Sequence, residues 1–496
     1  MISETGYIAY EDFGATGDGV SDDLLAIVQT HEYANAHGLS VRTKPGVTYH
    51  LGSQALTAMI ATDTDWTSSR FTIDDTRVEN HGAPLFEVRS LLESEDLQID
   101  RLTRDQKQVD ARPQRDCHVL VEDENRRLYI RRGLNQNTGV HQQDSFILHR
   151  DGAIEGDIDW DYDGVTRVEA CPIDEKWLTL RGGIFTTFAN RMKQEVGYNY
   201  WARNIVISRS NTEVDGLTHY VVGETAVGHP YRGFLSVRQC ANITLRNCFV
   251  SGHKIYSTIG VAGKLVNMGS YDINANNVVN FHMINCRMNH ICDRTRWGVI
   301  ASNFCKHILL QNCTLSRMDT HMGVSGTYTI RHCTLGHMGL NAIGRGKLTL
   351  EDSTLYSRSL VNFRKDYGST WEGDLVIRNC RWVPDCGDTT WSYMIDLNND
   401  GMHDFGYPCT MPREIIVDGL FVDDGNHPAD YRGMYFFTDP DGGGEDTTPA
   451  VERPFPYVPC QKLRVRGLIT ASGKKPRVSP NDELGKSIVM IEEGES

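Results

Sequence analysis

One short phrase occurs six times in the middle of this chain. The copies are ITLRNCFV (243–250), FHMINCRM (281–288), ILLQNCTL (308–315), YTIRHCTL (328–335), LTLEDSTL (348–355) and LVIRNCRW (375–382). In each copy, apolar residues alternate with other residue types. A polar residue and then a small residue follow. Alternation with a period of two predicts a β-strand and not a helix. Successive copies begin 38, 27, 20, 20 and 27 residues apart. Repeats of about 20 residues predict a solenoid.

Stacking the copies in register places their small residues in an internal ladder. The small position holds Cys248, Cys286, Cys313, Cys333, Ser353 and Cys380. The chain has 13 cysteines, an odd number, and no Cys-x-x-Cys pair with the spacing of a metal site. We therefore predict reduced, buried thiols, as is typical of a cytoplasmic protein.

The length and the charge of the chain limit the classes of partner. A solenoid makes 496 residues compatible with one elongated domain, because each repeat buries its apolar face only against its neighbours. A net charge of −15 disfavours nucleic acid and membrane surfaces as partners. No run of 18 apolar residues is present, so we expect no transmembrane helix. The first residues lack the features of a signal peptide, and we expect a cytoplasmic protein.

Residues 1–50 carry turn and helix signals. A helix is predicted over Leu24–Ala36, with Ser21 or Asp22 as its cap. Asp12-Phe13-Gly14-Ala15, Gly17-Asp18-Gly19, Asp22-Asp23 and Pro45-Gly46 with Tyr49 resemble the N-terminal cap of the pectin-lyase-like right-handed parallel β-helix enzymes. The resemblance implies an all-β, right-handed parallel β-helix with a helix over its open end, and a carbohydrate-active protein. Hydrolases, lyases and phage tailspikes have similar caps, so the resemblance does not select a reaction.

The rest of the chain is divided by changes in composition. We predict a cap over 1–50, a β-helix over 51–475 and a C-terminal tail over 476–496. The β-helix is interrupted by an inserted β-rich lobe at about 102–172 and by a long loop at about 424–459, rich in Pro, Gly and Asp. The lobe contains Asp159-x-Asp161-x-Asp163-Gly164, which is similar to the start of a Ca²⁺ loop, but Ala170 stands where that loop needs Glu. We interpret this segment as a strand with a solvated acidic face. We expect no cofactor, with Ca²⁺ as the open alternative.

A second set of segments aligns after the repeated phrase and is unusually polar. The segments are 256–263, 295–302, 320–326, 341–346 and 362–368. Side chains two residues apart share one face of a strand, and neighbouring strands lie about 4.8 Å apart. This alignment predicts a stack of Arg296, His321, Asn341 or Arg345, and Arg364 or Asp366 on consecutive rungs. Arg294 shares a face with Arg296, and Trp297 and Tyr367 offer aromatic surface for a sugar ring.

Glycoside hydrolysis is the first function that we predict for this face. It needs one protonated and one ionised carboxyl group. Asp319 and Asp366 are the first choice, two rungs or about 10 Å apart. Asp272 and Glu372 are in reserve, and His321 or Arg345 would tune a carboxyl pKa or bind hydroxyl groups. The predicted binding residues are Arg294, Arg296, Trp297, Asn341, Arg345, Arg364, Tyr367 and His253. The predicted partner is a carbohydrate substrate.

Two other functions remain open. The arginine excess suits β-elimination by a polysaccharide lyase, in which a cation neutralises a uronate and a base removes the α-proton. A non-catalytic glycan-binding or tailspike-like protein is the second alternative. A homo-oligomer, dimer or trimer, is also open.

Overall fold

The computed structural model describes residues 6–189, 200–224, 229–259, 263–296, 298–384, 389–441 and 455–492. The helices are α1 (Leu24–His37) and α2 (Asp482–Ser487), with short 3₁₀ turns at Tyr10–Phe13, Gly133–Asn135 and Lys365–Tyr367. The strands are β1 (Tyr7–Ile8), β2 (Asp18–Asp22), β3 (Ser40–Arg42), β4 (Thr48–Leu51), β5 (Ala58–Ile60), β6 (Thr64–Asp65), β7 (Arg70–Asp74), β8 (Phe86–Val88), β9 (Cys117–Leu128), β10 (Val140–Leu148), β11 (Ile154–Glu155), β12 (Arg167–Pro172), β13 (Leu178–Arg181), β14 (Ile184–Phe188), β15 (Ile205–Ile207), β16 (Thr212–Asp215), β17 (Thr218–Val222), β18 (Leu235–Arg246), β19 (Phe249–Val250), β20 (Tyr256–Ile259), β21 (Leu265–Met268), β22 (Tyr271–Ile284), β23 (Arg287–Met288), β24 (Gly298–Asn303), β25 (Lys306–Gln311), β26 (Thr314–Thr320), β27 (Ser325–Arg331), β28 (Thr334–Asn341), β29 (Gly344–Glu351), β30 (Thr354–Leu355), β31 (Val361–Asn362), β32 (Trp371–Trp382), β33 (Ser392–Asp396), β34 (Glu414–Val422), β35 (Met434–Phe437), β36 (Lys462–Thr470) and β37 (Val489–Glu492).

Thirty-one strands join in one parallel sheet that winds along the molecule as three ladders. Ladder A runs from β5, β8 and β15 to β35; ladder B runs from β1, β3 and β6 to β37; ladder C runs from β2, β4 and β7 to β36. Each coil passes from A to B to C, and several long strands bend from one ladder into the next. The predicted all-β, right-handed parallel β-helix is confirmed.

The repeated phrase spans a corner and is not a single strand. Its first half lies in ladder B and its last residues lie in ladder C. The polar residue between them turns the chain, with φ between 48° and 57° at Asn247, Asn285, Asn312, His332, Asp352 and Asn379. Asn and Asp enter this left-handed region more readily than most residues, which explains why the phrase keeps a polar residue there.

The predicted internal ladder of small residues is present directly after this corner. All six side chains face the interior, and none of these residues is more than 4% exposed. Neighbouring rungs touch: the Cys313 amide donates to Cys333 Sγ at 3.4 Å, and the Cys333 amide donates to Ser353 Oγ at 3.0 Å. The cysteines of the described ranges are all free thiols.

The N-terminal helix α1 covers the open end of the solenoid. Leu24, Ile27 and Ala34 are fully buried against the first coils. The helix ends at Gly38, whose φ of 64° closes the last turn. The predicted helix bounds of 24–36 differ from the observed ones by a single residue.

The inserted lobe is a four-stranded antiparallel sheet in the order β11–β10–β9–β12. It leaves the β-helix after β8 in ladder A and returns before β13 in ladder B. The corner from A to B therefore carries the lobe, and residues 397–413 leave the coil at the same corner between β33 and β34. Residues 157–164, predicted as a strand, form only an isolated bridge between Tyr162 and Leu102, because Ile158 and Tyr162 turn into the core of the lobe.

The C-terminal part departs from the predicted organisation. The segment predicted as one loop over 424–459 contains β35, whose four apolar residues are buried in ladder A; residues 442–454 of it lie outside the described residues. The predicted tail packs on the last coil, where Leu484 is fully buried and β37 pairs with β36. No helix in the described part of the chain has the length and apolarity needed to cross a bilayer.

Candidate functional site

The predicted polar strip is divided by the observed strand register. Asp319 pairs with Ala301, whereas Arg296 precedes β24. Asn341 pairs with Asn362 in ladder A, whereas Arg345 pairs with Glu372 in ladder B. The first segment of the alignment contributes β20, which forms an antiparallel hairpin with β21 outside the solenoid. The ends of β26, β28 and β31, near His321, Asn341 and Arg364, do lie on consecutive rungs of ladder A. Arg296 and Arg345 fall outside this row because the turns between strands differ in length from coil to coil.

Tertiary contacts nevertheless bring four predicted residues together at the A-to-B corner. Arg364 Nη1 lies 3.1 and 3.2 Å from the two carboxylate oxygens of Asp319. The same guanidinium donates to Asp366 through Nε at 3.1 Å and Nη2 at 3.0 Å. His321 Nε2 lies 2.9 Å from Asp319 Oδ2. Because Asp319 and Asp366 share one guanidinium, their carboxylates lie closer together than the predicted separation of about 10 Å.

Three residues of this cluster were missed from the sequence. Tyr271 donates its hydroxyl to Asp319 Oδ2 at 2.8 Å, Arg317 pairs with Asp319, and Arg131 of the lobe pairs with Asp366. The sequence could have indicated Arg317, because it stands two residues before Asp319 and shares its face of the strand. Nothing in the sequence indicated Arg131, since it reaches the site from a separate sheet.

Charge pairing keeps both predicted catalytic carboxyl groups ionised. Asp319 is 0% exposed. Burial acts to raise its pKa, but the Arg317 and Arg364 guanidinium groups hold the pKa of Asp319 well below its ordinary value. Burial also acts to raise the pKa of Asp366, but the Arg364 and Arg131 guanidinium groups outweigh it and lower that pKa. In this arrangement neither carboxyl group is suited to be the proton donor that hydrolysis needs.

Tyr271 and His321 form a contact pair within the cluster. Their Oη and Nε2 atoms are 2.7 Å apart, and the His321 side chain is 25% exposed. Burial lowers the pKa of His321 and raises that of Tyr271. Asp319 is ionised, so its hydrogen bond with His321 requires a proton on Nε2. In a neutral imidazole this tautomer leaves Nδ1 unprotonated. The pair thus offers a base and a phenolic acid side by side.

These two side chains line an open groove of about 640 Å³ over ladder A. Its described lining consists of His81, Tyr200, Tyr231, Arg232, Ser236, Arg238, Gln239, Tyr271, Asn274, Asn276, Asn277, Ala301, Asn303 and His321. No carboxylate occurs among them. Asn303 donates to Asn276 and Asn276 to Asn274, each at 2.6 Å, so their amides form a fixed row. The side chains of Arg232 and Arg238 are exposed.

The other predicted acid, Asp272, belongs to a separate buried network. It accepts from the Gly252 amide at 3.0 Å and lies 3.4 Å from His219 and 3.6 Å from His253. His253 Nδ1 is 2.9 Å from Glu224 Oε1, and His253 is 2% exposed. The predicted roles of Asp272 in catalysis and of His253 in binding stay predictions, but neither side chain reaches the groove surface.

The remaining predicted binding residues are dispersed. Arg296 donates to the carbonyl groups of Ser251 and Gly252 and holds a turn. Arg294 is exposed in the turn before β24, and Trp297 lies outside the described residues. Tyr367 is 2% exposed and packs under the Arg131 and Arg364 guanidinium groups, so its ring is not available for a sugar. Asn341 is buried, and Arg345 lines a different cavity.

Metal ligation is not favoured where the sequence suggested Ca²⁺. Asp159 lies 3.4 Å from Arg345 Nη1 and 3.5 Å from Lys306 Nζ. In the described ranges, the ligand atoms of Glu122, Glu124 and His141 do lie within 4.8 Å of one another. Glu122 is already paired with Arg167 at 3.2 Å, and nothing else at this surface points to an ion.

No protein-family model matches the chain. A segment of 94 residues is 29% identical to the KL64-specific capsule depolymerase of Klebsiella phage P510, covering 17% of this chain and 9% of that protein. The solved structures that it resembles include tailspike gp49 of Pseudomonas phage LKA1, with a TM-score of 0.55 and 14% identity over 97% of this chain and 84% of that one.

Two further tailspikes have a similar fold. Gp61 of Pseudomonas phage phi297 gives a TM-score of 0.52 and 12% identity over 98% of this chain and 84% of that one. Gp54 of Acinetobacter baumannii phage AP22, solved with a capsular saccharide, gives a TM-score of 0.50 and 11% identity over 98% of this chain and 79% of that one. At these identities the likeness shows the parallel β-helix fold.

Proposed function

We propose that this protein degrades a polysaccharide and that the polysaccharide is cleaved in the groove over ladder A. The observation that carries the proposal is the Tyr271–His321 pair at 2.7 Å, exposed to a groove and fixed from beneath by a buried ionised carboxylate. The fold-level likeness to tailspikes, one of them bound to a capsular saccharide, and the short match to a capsule depolymerase support a glycan as the substrate.

We infer β-elimination on a uronate-containing glycan as the reaction. The described lining of the groove holds two histidines, three tyrosines and two exposed arginines but no carboxylate, and His321 and Tyr271 are the histidine and tyrosine in contact. Paired carboxyl groups are what the predicted hydrolase would require. Elimination requires a base, an acid and a cation beside the uronate carboxylate, and this groove contains each of them.

The proton transfers balance over one cycle. His321 Nδ1 removes the proton from C5 of the uronate, the C4–O4 bond breaks, and a C4–C5 double bond forms. The Tyr271 hydroxyl protonates the leaving oxygen. The imidazolium then returns a proton from Nε2 to the Tyr271 phenolate across their 2.7 Å contact. The imidazole now carries its proton on Nδ1, and proton exchange with solvent at its 25% exposed side chain restores the starting Nε2–H tautomer. Arg232 or Arg238 neutralises the uronate carboxylate and stabilises the developing enediolate.

The experiment is a digestion of uronate-containing and neutral capsular polysaccharides by the purified protein. We expect new reducing ends and the ultraviolet absorbance of a 4,5-unsaturated uronate to increase together, on acidic glycans only. Reducing ends without that absorbance would identify hydrolysis and contradict the elimination mechanism. Binding without cleavage across both sets would identify the protein as a glycan-binding module.

A further inference from the structure

A second cavity lies between the inserted lobe and the β-helix. It has a volume of about 220 Å³ and is separate from the groove, with which it shares no lining residue. Pockets for drug-sized ligands are roughly 300–1,000 Å³. A cavity of this size therefore admits one small molecule or one sugar ring and excludes an oligosaccharide chain.

Aromatic rings form much of its wall. Trp160 of the lobe and Tyr407 of the coil lie 6.3 Å apart between ring centroids and are inclined by 36°. Tyr129 stands 5.0 Å from Tyr407 and 5.5 Å from Phe304. Trp160, Tyr407 and Phe304 each keep part of their surface exposed. Such rings offer flat apolar faces to a ligand.

The floor of the cavity consists of backbone where two coils approach closely. A Cβ at Gly323 would lie 1.9 Å from the Tyr129 hydroxyl, and one at Gly344 would lie 2.0 Å from the Val324 carbonyl oxygen. Glycine is therefore required at both positions. The Cβ side of these glycines is filled by the Tyr129 hydroxyl and the Val324 backbone, so the glycines let the lobe and the coils close the floor of the cavity.

The charged groups at the rim are paired with one another. Arg104 pairs with Glu372 at 2.5 Å, and Arg345 pairs with Asp105 at 2.6 Å and with Asp159 at 3.4 Å. These two arginines face three carboxylates, so the rim presents fixed donors and acceptors with a net negative charge, which disfavours an anionic ligand. An ionic ligand would have to break one of these pairs, whereas a neutral ligand with hydroxyl groups can bond to their outer edges.

We propose that this cavity is a second carbohydrate site, which binds a single neutral pyranose residue against the exposed surfaces of Trp160 and Tyr407. A pyranose has an apolar ring face and a rim of hydroxyl groups, and the cavity presents aromatic faces with a rim of paired donors and acceptors. The site is independent of cleavage in the groove and would hold a neutral residue of a branch or a product.

The test is a titration of the intact protein with glucose, galactose, N-acetylglucosamine and glucuronate, followed by calorimetry and tryptophan fluorescence. We expect saturable binding of at least one neutral sugar and none of glucuronate. Trp160→Ala should weaken binding about tenfold or more. Trp177→Ala is the matched control, since Trp177 is exposed on the surface away from the cavity, and it should change nothing.

Two variants distinguish the function of the groove from that of the cavity. Tyr271→Phe should remove cleavage and leave sugar binding unchanged, whereas Trp160→Ala should weaken sugar binding and leave cleavage unchanged. Thermal unfolding checks that each variant folds; if Trp160→Ala does not, Trp160→Phe with Trp177→Phe as control replaces it, and a weaker but measurable loss is expected. The proposal is wrong if no neutral sugar binds, if the Trp160 variants bind like the native protein, or if Tyr271→Phe abolishes binding.

Discussion

At the scale of single residues, Tyr271 and His321 line the groove, whereas the charged groups of the cluster do not. Asp319 and Arg317 are buried, the Arg364 side chain is 11% exposed, and both arginines pair with Asp319. Truncating one member of such a group leaves an uncompensated buried charge. These three residues are therefore positioning residues, and the chemistry is assigned to the two side chains that meet the groove.

The proton-donor role of Tyr271 predicts the effect of Tyr271→Phe. Phenylalanine keeps the ring that lies 5.3 Å from the Arg317 guanidinium but cannot protonate a leaving oxygen. We expect kcat to fall by about 10²–10⁴-fold with a small change in KM. Steady-state kinetics on the glycan identified by digestion measures this. Tyr220→Phe, at an exposed tyrosine of β17, is the control; full activity in Tyr271→Phe would contradict the mechanism.

The base role of His321 predicts a pH dependence. Burial lowers the pKa of His321 from its ordinary 6.5, and only the neutral imidazole accepts a proton. We therefore expect kcat/KM to rise with pH through this lowered pKa, below 6.5, and to be level at neutral pH. His321→Gln should remove both the acidic limb and most of the activity. An acidic limb that survives in His321→Gln would assign the titration to another group.

At the scale of elements, the corner between ladders B and C depends on a residue that tolerates positive φ. Asn285 sits there with φ of 57°. Its side-chain amide donates to Asn247 Oδ1 at 3.1 Å, and Asn247 donates to Asp215 at 2.8 Å. The corner is thus held both by backbone preference and by a row of side-chain hydrogen bonds along the solenoid.

Substitution at Asn285 separates these two contributions. Asn285→Gly removes only the hydrogen bond and should cost about 1 kcal/mol. Asn285→Val also forces a β-branched residue into the left-handed region, which should add roughly 1–3 kcal/mol. Chemical denaturation of both variants measures the difference in the free energy of unfolding. Equal stabilities would show that the corner tolerates any residue.

At the scale of the whole molecule, one buried ion pair fastens the lobe to the β-helix. Lys306 of β25 contacts Asp144 of β10 and the carbonyl oxygen of Asp157, and its Nζ lies 3.5 Å from Asp159. Burial raises the pKa of Asp144 to about 7 against the effect of this ammonium group. Loss of the lysine would leave the Asp144 charge buried and unpaired.

Lys306→Met should therefore destabilise the protein by about 3–5 kcal/mol. Adding Asp144→Asn, which keeps an acceptor for the Asp159 amide at 2.6 Å but has no charge, should recover most of this loss. Denaturant unfolding of the two single variants and the double variant gives the coupling. A cost below about 1 kcal/mol for Lys306→Met would mean that this ion pair adds little to the attachment of the lobe.

Local signals in the sequence were sufficient for the fold. The alternation within each phrase, its repeat and the small residue at Cys313 or Ser353 predicted a solenoid with an internal ladder, because these features act between neighbouring strands. The helix over 24–37 and the turn at Gly38 are local for the same reason. The sequence predicts one strand for each phrase because no residue type identifies a positive φ, and Asn247 or Asn285 could equally well continue a strand.

The site was decided by tertiary structure. Asp319, His321, Arg364 and Asp366 were selected from the sequence, but their contacts depend on turn lengths that shift the register and on Arg131, which arrives from the lobe. Tyr271 lies 48 residues before Asp319 in the chain and 2.8 Å from it in space. A sequence specifies which residues carry charge and where strands recur. Only the folded chain fixes which of those charges pair with each other, and that pairing leaves Tyr271 and His321 as the reactive groups that we propose at the groove.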